Sequence, residues 1–444
     1  MQKDLTTGDA GKAILHFSGP MIFGALLQQL YNVVDTLIVG KFLGANELAA
    51  VGSSFALMTF LTSILLGLCM GSGILFSMLY GAQEEEKLKN SLFLSFLLIG
   101  GLAVCINVVV VLLLDPLLLI LQTPADILEL TRQYLFVVFG GIFFTFLYNF
   151  FASLLRAIGN SKIPLLFLAI SALLNILLDL LFVIPLGMGV TGAALATVIA
   201  QTVSAGSLIW YCILRVPLVR LHREQMKFDS SLTRSIIQYS ILTSIQQSIM
   251  NFGILMVQRL VNSFGVVVMA AFAAGVKIDS FAYMPVQEFG NAFSTYIAQN
   301  YGAHKLARIH EGIRAAVKMA LIFCLVISAV VCLFAKPLMC IFVDPSETEL
   351  LAIGAQYLRI EGSCYCGIGC LFLLYGFCRG VGRPGMSTVL TVISLGTRVL
   401  LAYGLAAIPQ IGLLGIWWSV PIGWGLADFV GLLYYHRWKK RVAF

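Results

Sequence analysis

Apolar residues in this chain neither alternate nor recur at one-sided helical spacing. They run on, stretch after stretch, between short polar or Gly/Pro breaks. Twelve such stretches lie near 14–40, 48–80, 91–119, 130–155, 163–184, 191–214, 235–261, 267–299, 313–341, 351–378, 386–408 and 412–436. About 20 apolar residues cross the hydrocarbon of a bilayer as a helix, so each stretch predicts a transmembrane helix. Several are longer, which predicts tilt, kinks or helical extension into water. The expected fold is therefore an all-α integral membrane protein with twelve transmembrane helices.

Charge sets the expected orientation. With the N-terminus inside, the cytoplasmic segments hold 21 of the 28 Lys and Arg, and the outer loops hold Lys41 and Lys336 alone. That asymmetry predicts both termini on the cytoplasmic face of the plasma membrane. The net charge of +7 then reflects topology, and a nucleic-acid partner is not expected. Composition agrees, since 59% of residues are hydrophobic and 11% charged, against about 25% charged in soluble domains. No removable leader is expected, because the first apolar run reads as the first span.

The chain also repeats itself. Tyr80-Gly81-Ala82 recurs as Tyr301-Gly302-Ala303, Pro116-Leu117-Leu118 as Pro337-Leu338-Met339, and Pro124 as Pro345, all at an offset of 221. Gln133-Tyr134-Leu135 recurs as Gln356-Tyr357-Leu358, and Arg156-Ala157-Ile158-Gly159 as Arg379-Gly380-Val381-Gly382, at 223. The offset spans six helices, an even number, so the halves share one orientation, as in parallel-repeat transporters. The expected domains are a six-helix lobe over 1–220 and another over 221–444, joined by a basic cytoplasmic linker near 215–231.

Polar groups at membrane depth are costly and therefore informative. Gln28, Asn32, Asp35 and Thr36 fall at i, i+4, i+7 and i+8 of the first span, with Tyr31 beside them, and read as one polar face. The fifth span carries Ser171, Asn175 and Asp179, spaced by four, and the sixth carries Thr197. An Asp with an Asn one turn away offers hard oxygen ligands to a small cation, or a proton site. Packing glue suits Gln28 and Asn32, and a hydroxyl bonded back to its own helix suits Thr197. At the repeat offset no acid mirrors Asp35, and Asn175 and Asp179 become Arg398 and Ala402. The C-terminal half offers Gln246, Gln247, Asn251, Lys277, Asp279 and Glu288 as further cavity or coupling candidates. Lys277 and Asp279 are too close in sequence to face each other on a helix. Glu288 reads as a second proton site, a counter-charge for a cationic substrate, or the partner of Lys277 or Arg259. Glu361 and Asp428 are expected to be satisfied by Arg359 or by interfacial groups.

Other chemistry is not expected. Cys364, Cys366, Cys370 and Cys378 lie in a uniformly apolar segment and read as packing residues. No phosphate-binding glycine loop, HExxH or Asp-rich motif occurs, so ATP is not the expected fuel and no cofactor is expected. A membrane-embedded enzyme would need clustered acids or histidines at one interface, which the sequence does not offer. An ion gradient remains as the driving force.

These residues resemble the multidrug and toxic compound extrusion (MATE) family of cation-coupled antiporters, over the whole chain. The resemblance rests on Pro20 ahead of Val34-Asp35-Thr36, Gly40 and Gly44, Ala49-Ala50-Val51-Gly52, and Gln299-Asn300-Tyr301-Gly302-Ala303. It implies a cation site for H⁺ or Na⁺ at Asp35, Asn175, Asp179 and Thr197, with Asn149 near the position of a fourth-helix Asn. It also implies a V-shaped cavity between the lobes, bending of the first helix near Pro20, and export of amphiphilic organic cations by a monomer. Tyr31, Phe144, Tyr148, Tyr283 and Met284 are wall candidates for such a substrate. NorM-like members carry acids in the seventh and central tenth helices; here the seventh has Gln246 and Gln247. The sequence therefore resembles the archaeal and DinF-like members more closely. A lipid-linked-oligosaccharide flippase of the same superfamily is the alternative, although its usual Arg- and Lys-rich cavity is absent here.

Overall fold

The computed structural model describes residues 4–120 and 123–442. The described residues form sixteen α-helices and two short 3-10 turns. In order, the first eight helices are α1 (Ala10–Phe42), α2 (Ala45–Gly81), α3 (Glu85–Leu112), α4 (Leu114–Ile120), α5 (Ala125–Gly140), α6 (Ile142–Ala157), α7 (Lys162–Val183) and α8 (Gly189–Arg215). After the turns Pro217–Val219 and Arg223–Gln225 come α9 (Ser230–Asn262), α10 (Val266–Gly302), α11 (Leu306–Leu333) and α12 (Ala335–Met339). The last four are α13 (Thr348–Ser363), α14 (Tyr365–Gly380), α15 (Pro384–Ala406) and α16 (Leu413–Val442). Ten helices are long and apolar enough to span alone. The pairs α5–α6, bent by 43°, and α13–α14, bent by 51°, bring the spans to the expected twelve.

The repeat read from sequence reappears in backbone geometry. Helix α3 and helix α11 have the same length with ends 221 residues apart, and α6 and α14 the same with ends 223 apart. Positive φ recurs at Gln83 and His304, at Gly44 and Gly265, at Gly159 and Gly382, and at Gly189 and Gly412. At Gly159 (φ 81°) and Gly382 (φ 79°) the chain leaves a helix in the left-handed region, which glycine enters without a Cβ clash. Each closes one of the Arg-x-x-Gly copies.

The helices pack into two compact units. Unit 1 comprises residues 1–4 and 23–244, and unit 2 comprises residues 5–22 and 245–444. The divisions fall inside α1 and α9, so each of these helices contributes to both units, and the basic segment 215–231 lies within unit 1. In unit 1, Gly67 and Gly71 of α2 face the backbone of α9 at Ser244 and at Tyr239–Ser240, and an added Cβ would collide with it. Small residues four apart allow such close helix approach where lipid gives no hydrophobic drive to association. A phenylalanine cluster fills the α3–α6 contact: the Phe96 ring lies 5.7 Å from Phe146 and 5.5 Å from Phe150. In unit 2 the wholly buried Leu5 is tied to the end of α10. Asn300 Nδ2 donates to its carbonyl at 3.2 Å, and its N–H donates to Gln299 Oε1 at 3.2 Å.

Candidate functional site

Unit 1 gathers two carboxyls below the surface. Asp179 is fully buried on α7, and its carboxyl lies within hydrogen-bonding reach of that of Asp35 on α1. Oδ1 of each finds no donor among the described residues. Asn175, one turn before Asp179, bridges toward α8. With its amide oxygen accepting from Thr197 N–H at 3.2 Å, its nitrogen donates to Asp179 Oδ2 at 3.2 Å. In the other orientation Nδ2 faces Thr197 Oγ1 at 3.3 Å. The Thr197 hydroxyl also donates to the Ala193 carbonyl at 3.1 Å, so it bonds its own helix and lines the site at once. Asp35, Asn175, Asp179 and Thr197 are thus brought together.

Beside them lies a cavity of about 160 Å³, lined in part by Gln28, Tyr31, Tyr148, Asn149, Asn175 and Thr197. The Asn149 Nδ2 donates to the Thr145 carbonyl at 2.8 Å, and the Tyr148 hydroxyl to the Pro164 carbonyl at 3.0 Å. The polar face of α1 differs from the expected one. Gln28, Tyr31 and Asp35, at i, i+3 and i+7, turn toward the cavity and the carboxyls. Asn32 instead donates to Gln29 Oε1 at 3.3 Å, and the exposed Thr36 bonds back to the Asn32 carbonyl at 2.8 Å. The reason is rotation: a helix turns 100° per residue, so a face that holds Tyr31 and Asp35 leaves Asn32 and Thr36 at its edge. Pro20 lies within the unbroken α1, in the part that belongs to unit 2.

Further residues contribute to this site beyond those the sequence pattern points to. Tyr134 of α5 is buried next to Asp35, Tyr31 and Asp179. Thr145 and Gln201 line the same cavity and are bonded to each other at 2.8 Å. Their signal was present: Thr197, Gln201 and Ser204 fall at i, i+4 and i+7 of one helix, and Tyr134 belongs to a repeated tripeptide.

Unit 2 holds a second buried acid pair, at other positions. The Tyr365 hydroxyl donates to Asp279 Oδ1 at 2.7 Å, and the Tyr357 hydroxyl to Glu361 Oε2 at 3.1 Å. Asp279 and Glu361 are within hydrogen-bonding reach of each other, and the Arg398 guanidinium acts on both electrostatically without an ion pair to either; Arg398 Nε and Glu361 Oε1 find no partner among the described residues. The expectation that Arg359 or interfacial groups satisfy Glu361 and Asp428 is corrected here. Residues 357 and 361 share a face of α13 directed inward, whereas Arg359, two residues from Glu361, is exposed. Asp428 instead meets the Cys370 thiol. Tyr357 packs edge-on to Trp417 at 4.9 Å, and Phe272 stacks on Trp417 at 5.5 Å, so rings close this site.

The remaining candidates sit apart from that pair. Lys277 is exposed, its ammonium 5.7 Å from the Phe342 ring centroid. Glu288 accepts from Asn291 Nδ2 at 3.1 Å, and the Asn291 oxygen accepts from the buried Arg379 at 2.9 Å. The guanidinium of Arg379 is thus part of its network. Asn251 Nδ2 donates to the Gln247 carbonyl one turn earlier at 3.3 Å, and the buried Gln246 accepts from the Ser387 hydroxyl at 2.9 Å.

Comparison with known proteins agrees with this architecture. The MatE family profile matches residues 20–181 and, a second time, 240–404. A Bacillus subtilis (strain 168) protein, "Probable multidrug resistance protein YpnP", is 31% identical over 99% of this chain and 98% of its own length. A second protein of that organism, "Probable multidrug resistance protein YoeA", is 28% identical over 96% of this chain and 93% of its own. Among solved structures, "Crystal structure of MATE in complex with MaL6" superimposes with a TM-score of 0.93 at 25% identity, covering 99% of this chain and 98% of that one. With twelve spans, a duplicated pattern and two family matches that follow the duplication, the chain belongs to the MATE family of multidrug efflux transporters, which are secondary transporters rather than enzymes.

Proposed function

We propose that this protein is a cation-coupled antiporter that exports amphiphilic, mostly cationic organic compounds by alternating access, with Asp35 and Asp179 as the groups that take the coupling ion. The observation that carries this reading is the meeting in unit 1 of two carboxyls, Asp179 buried and Asp35 half-buried, each with an oxygen lacking a donor among the described residues. Two negative charges so close, away from water, repel strongly and need a proton or a cation between them. The groups around them, Asn175 and Thr197, are neutral oxygen bearers that suit either H⁺ or Na⁺. Arrival of the ion removes charge repulsion that otherwise acts on α1, the helix that carries Asp35. That helix contributes to both units and contains Pro20, which lacks an N–H and lets a helix bend.

The relatives' names speak of multidrug resistance, which supports drug-like substrates. Tyr31 and Tyr148 on the cavity wall suit organic cations, since ring faces attract positive charge. In this reading the coupling site is of the archaeal and DinF-like kind, both termini are cytoplasmic, and the protein works as a monomer. The test is dye efflux from proteoliposomes under proton and sodium gradients imposed separately. One gradient is expected to drive efflux, and a protein that responds to neither refutes the coupling.

A further inference from the structure

The repeat also allows corresponding places in the two units to be compared for volume. Where α3 meets α6 in unit 1, five rings occupy the contact: Phe96, Phe143, Phe146, Phe150 and Phe151. The offsets that align α3 with α11 and α6 with α14 place Val317, Cys366, Gly369, Leu373 and Leu374 at those positions in unit 2. Five aromatic side chains are thus replaced by smaller ones, including one with no side chain at all. A cavity of about 160 Å³ results, lined by all five of these residues. Protein interiors fill such space unless something else occupies it.

Its surroundings indicate the occupant. The wall is almost wholly apolar, and its rim holds Val317, Leu321 and Leu432, each half-exposed on spanning helices and so facing lipid. One end of the cavity lies at Tyr435, whose ring pairs with Trp438, and aromatic rings of this kind favour the membrane–water boundary. Beyond that end basic side chains outnumber the one acid of the adjoining turn of α11, the exposed Glu311. Arg314 lies close enough to Tyr435 to act on it electrostatically. Lys439, one turn past Tyr435 on α16, begins the run Lys439-Lys440-Arg441. A hydrocarbon slot that ends in aromatic rings and then in cations matches one molecule's chemistry, an anionic lipid.

We propose that the α11–α14–α16 crevice of unit 2 holds one acyl chain of an anionic phospholipid, with its phosphate between Arg314 and Lys439. The site is separate from the acid pairs and does not depend on which ion drives transport. Unit 1 lacks it because its phenylalanines already occupy the space.

The test is native mass spectrometry of the whole protein, delipidated in detergent and then given phosphatidylglycerol or phosphatidylcholine. One tightly retained phosphatidylglycerol is expected, with at least about tenfold preference over phosphatidylcholine. Cys366→Phe, which restores the unit 1 residue, should remove that retained lipid. Arg314→Ala should remove the headgroup preference and leave chain binding. In case the cavity-filling variant folds poorly, maleimide labelling of Cys366 and Cys370 in the unaltered protein, read peptide by peptide, gives a second measure. Phosphatidylglycerol should slow labelling at these two positions but not at the exposed Cys105. Equal retention of both lipids, retention undiminished in Cys366→Phe, or labelling unaffected by lipid would each overturn the proposal.

Discussion

Both units hold a pair of carboxyls beside a tyrosine of the same repeated tripeptide, Tyr134 in one and Tyr357 in the other, yet the pairs are surrounded differently: Asp279 and Glu361 are both buried, whereas Asp35 is half-buried beside the buried Asp179. In unit 1 the neighbours of Asp35 and Asp179 are an amide, a hydroxyl and a polar cavity. In unit 2 the neighbours of Asp279 and Glu361 are two tyrosine hydroxyls, stacked rings and the guanidinium of Arg398. Arg398 stands at the repeat position of Asn175, so a neutral oxygen ligand in one half is a fixed cation in the other. A pair that feels a fixed positive charge has less need of a mobile one than a pair among neutral oxygens. In the proposed reading, the same duplicated scaffold uses one pair for ion exchange and the other to hold helices together, although Glu361 Oε1 also finds no donor among the described residues.

The largest expected effect is at the unit 1 pair. Asp35→Asn and Asp179→Asn should each abolish gradient-driven dye efflux while the purified protein keeps its helical circular dichroism and elutes as before. Next is Thr197→Ala, which removes one neutral ligand and leaves both carboxyls. The ion concentration for half-maximal transport should rise about tenfold, with the maximal rate largely kept. In unit 2 the readout changes from transport to stability. Arg398→Leu should lower the melting temperature by roughly 5 °C or more, because two buried acids lose the positive charge that acts on them. Glu361→Gln should lower it less, and both variants should still respond to the gradient. If Glu361→Gln instead removes coupling while Asp35→Asn does not, the assignment of roles is reversed. The smallest effect is expected for Lys277→Ala, whose ammonium lies over an exposed-side ring: efflux should match the unaltered protein, within about the scatter of surface substitutions.

Most of the fold was legible because lipid leaves so few options. Uninterrupted apolar runs give spanning helices, and the offset of 221 to 223 residues carried the duplication down to paired backbone angles. The unit 1 site was legible for a related reason. Charged and amide side chains at depth are rare, and Asn175 with Asp179 one turn apart could only share a face. What failed was finer than one helical turn. Sequence spacing puts Asn32 and Thr36 on the face of Asp35, but the actual rotation of α1 favours Tyr31. Glu361 looked as if it belonged to Arg359 because sequence neighbours are visible and neighbours across helices are not. Its partner Asp279 is 82 residues away (361 minus 279), and no local pattern joins the two. The unit 2 cavity was hidden too, since it depends on comparing side-chain volumes at aligned positions rather than on any polar signal.

The central claim is that Asp35 and Asp179 together hold an ion that a substrate displaces. Its most direct measurement is ion release from the purified protein on addition of a cationic dye such as ethidium. Protons are followed in weakly buffered solution with a pH indicator, and sodium by displacement of the radioactive isotope. The account predicts release of H⁺ or Na⁺ by the unaltered protein and by Glu361→Gln, and none by Asp35→Asn. Undiminished release from Asp35→Asn at full dye binding would contradict it.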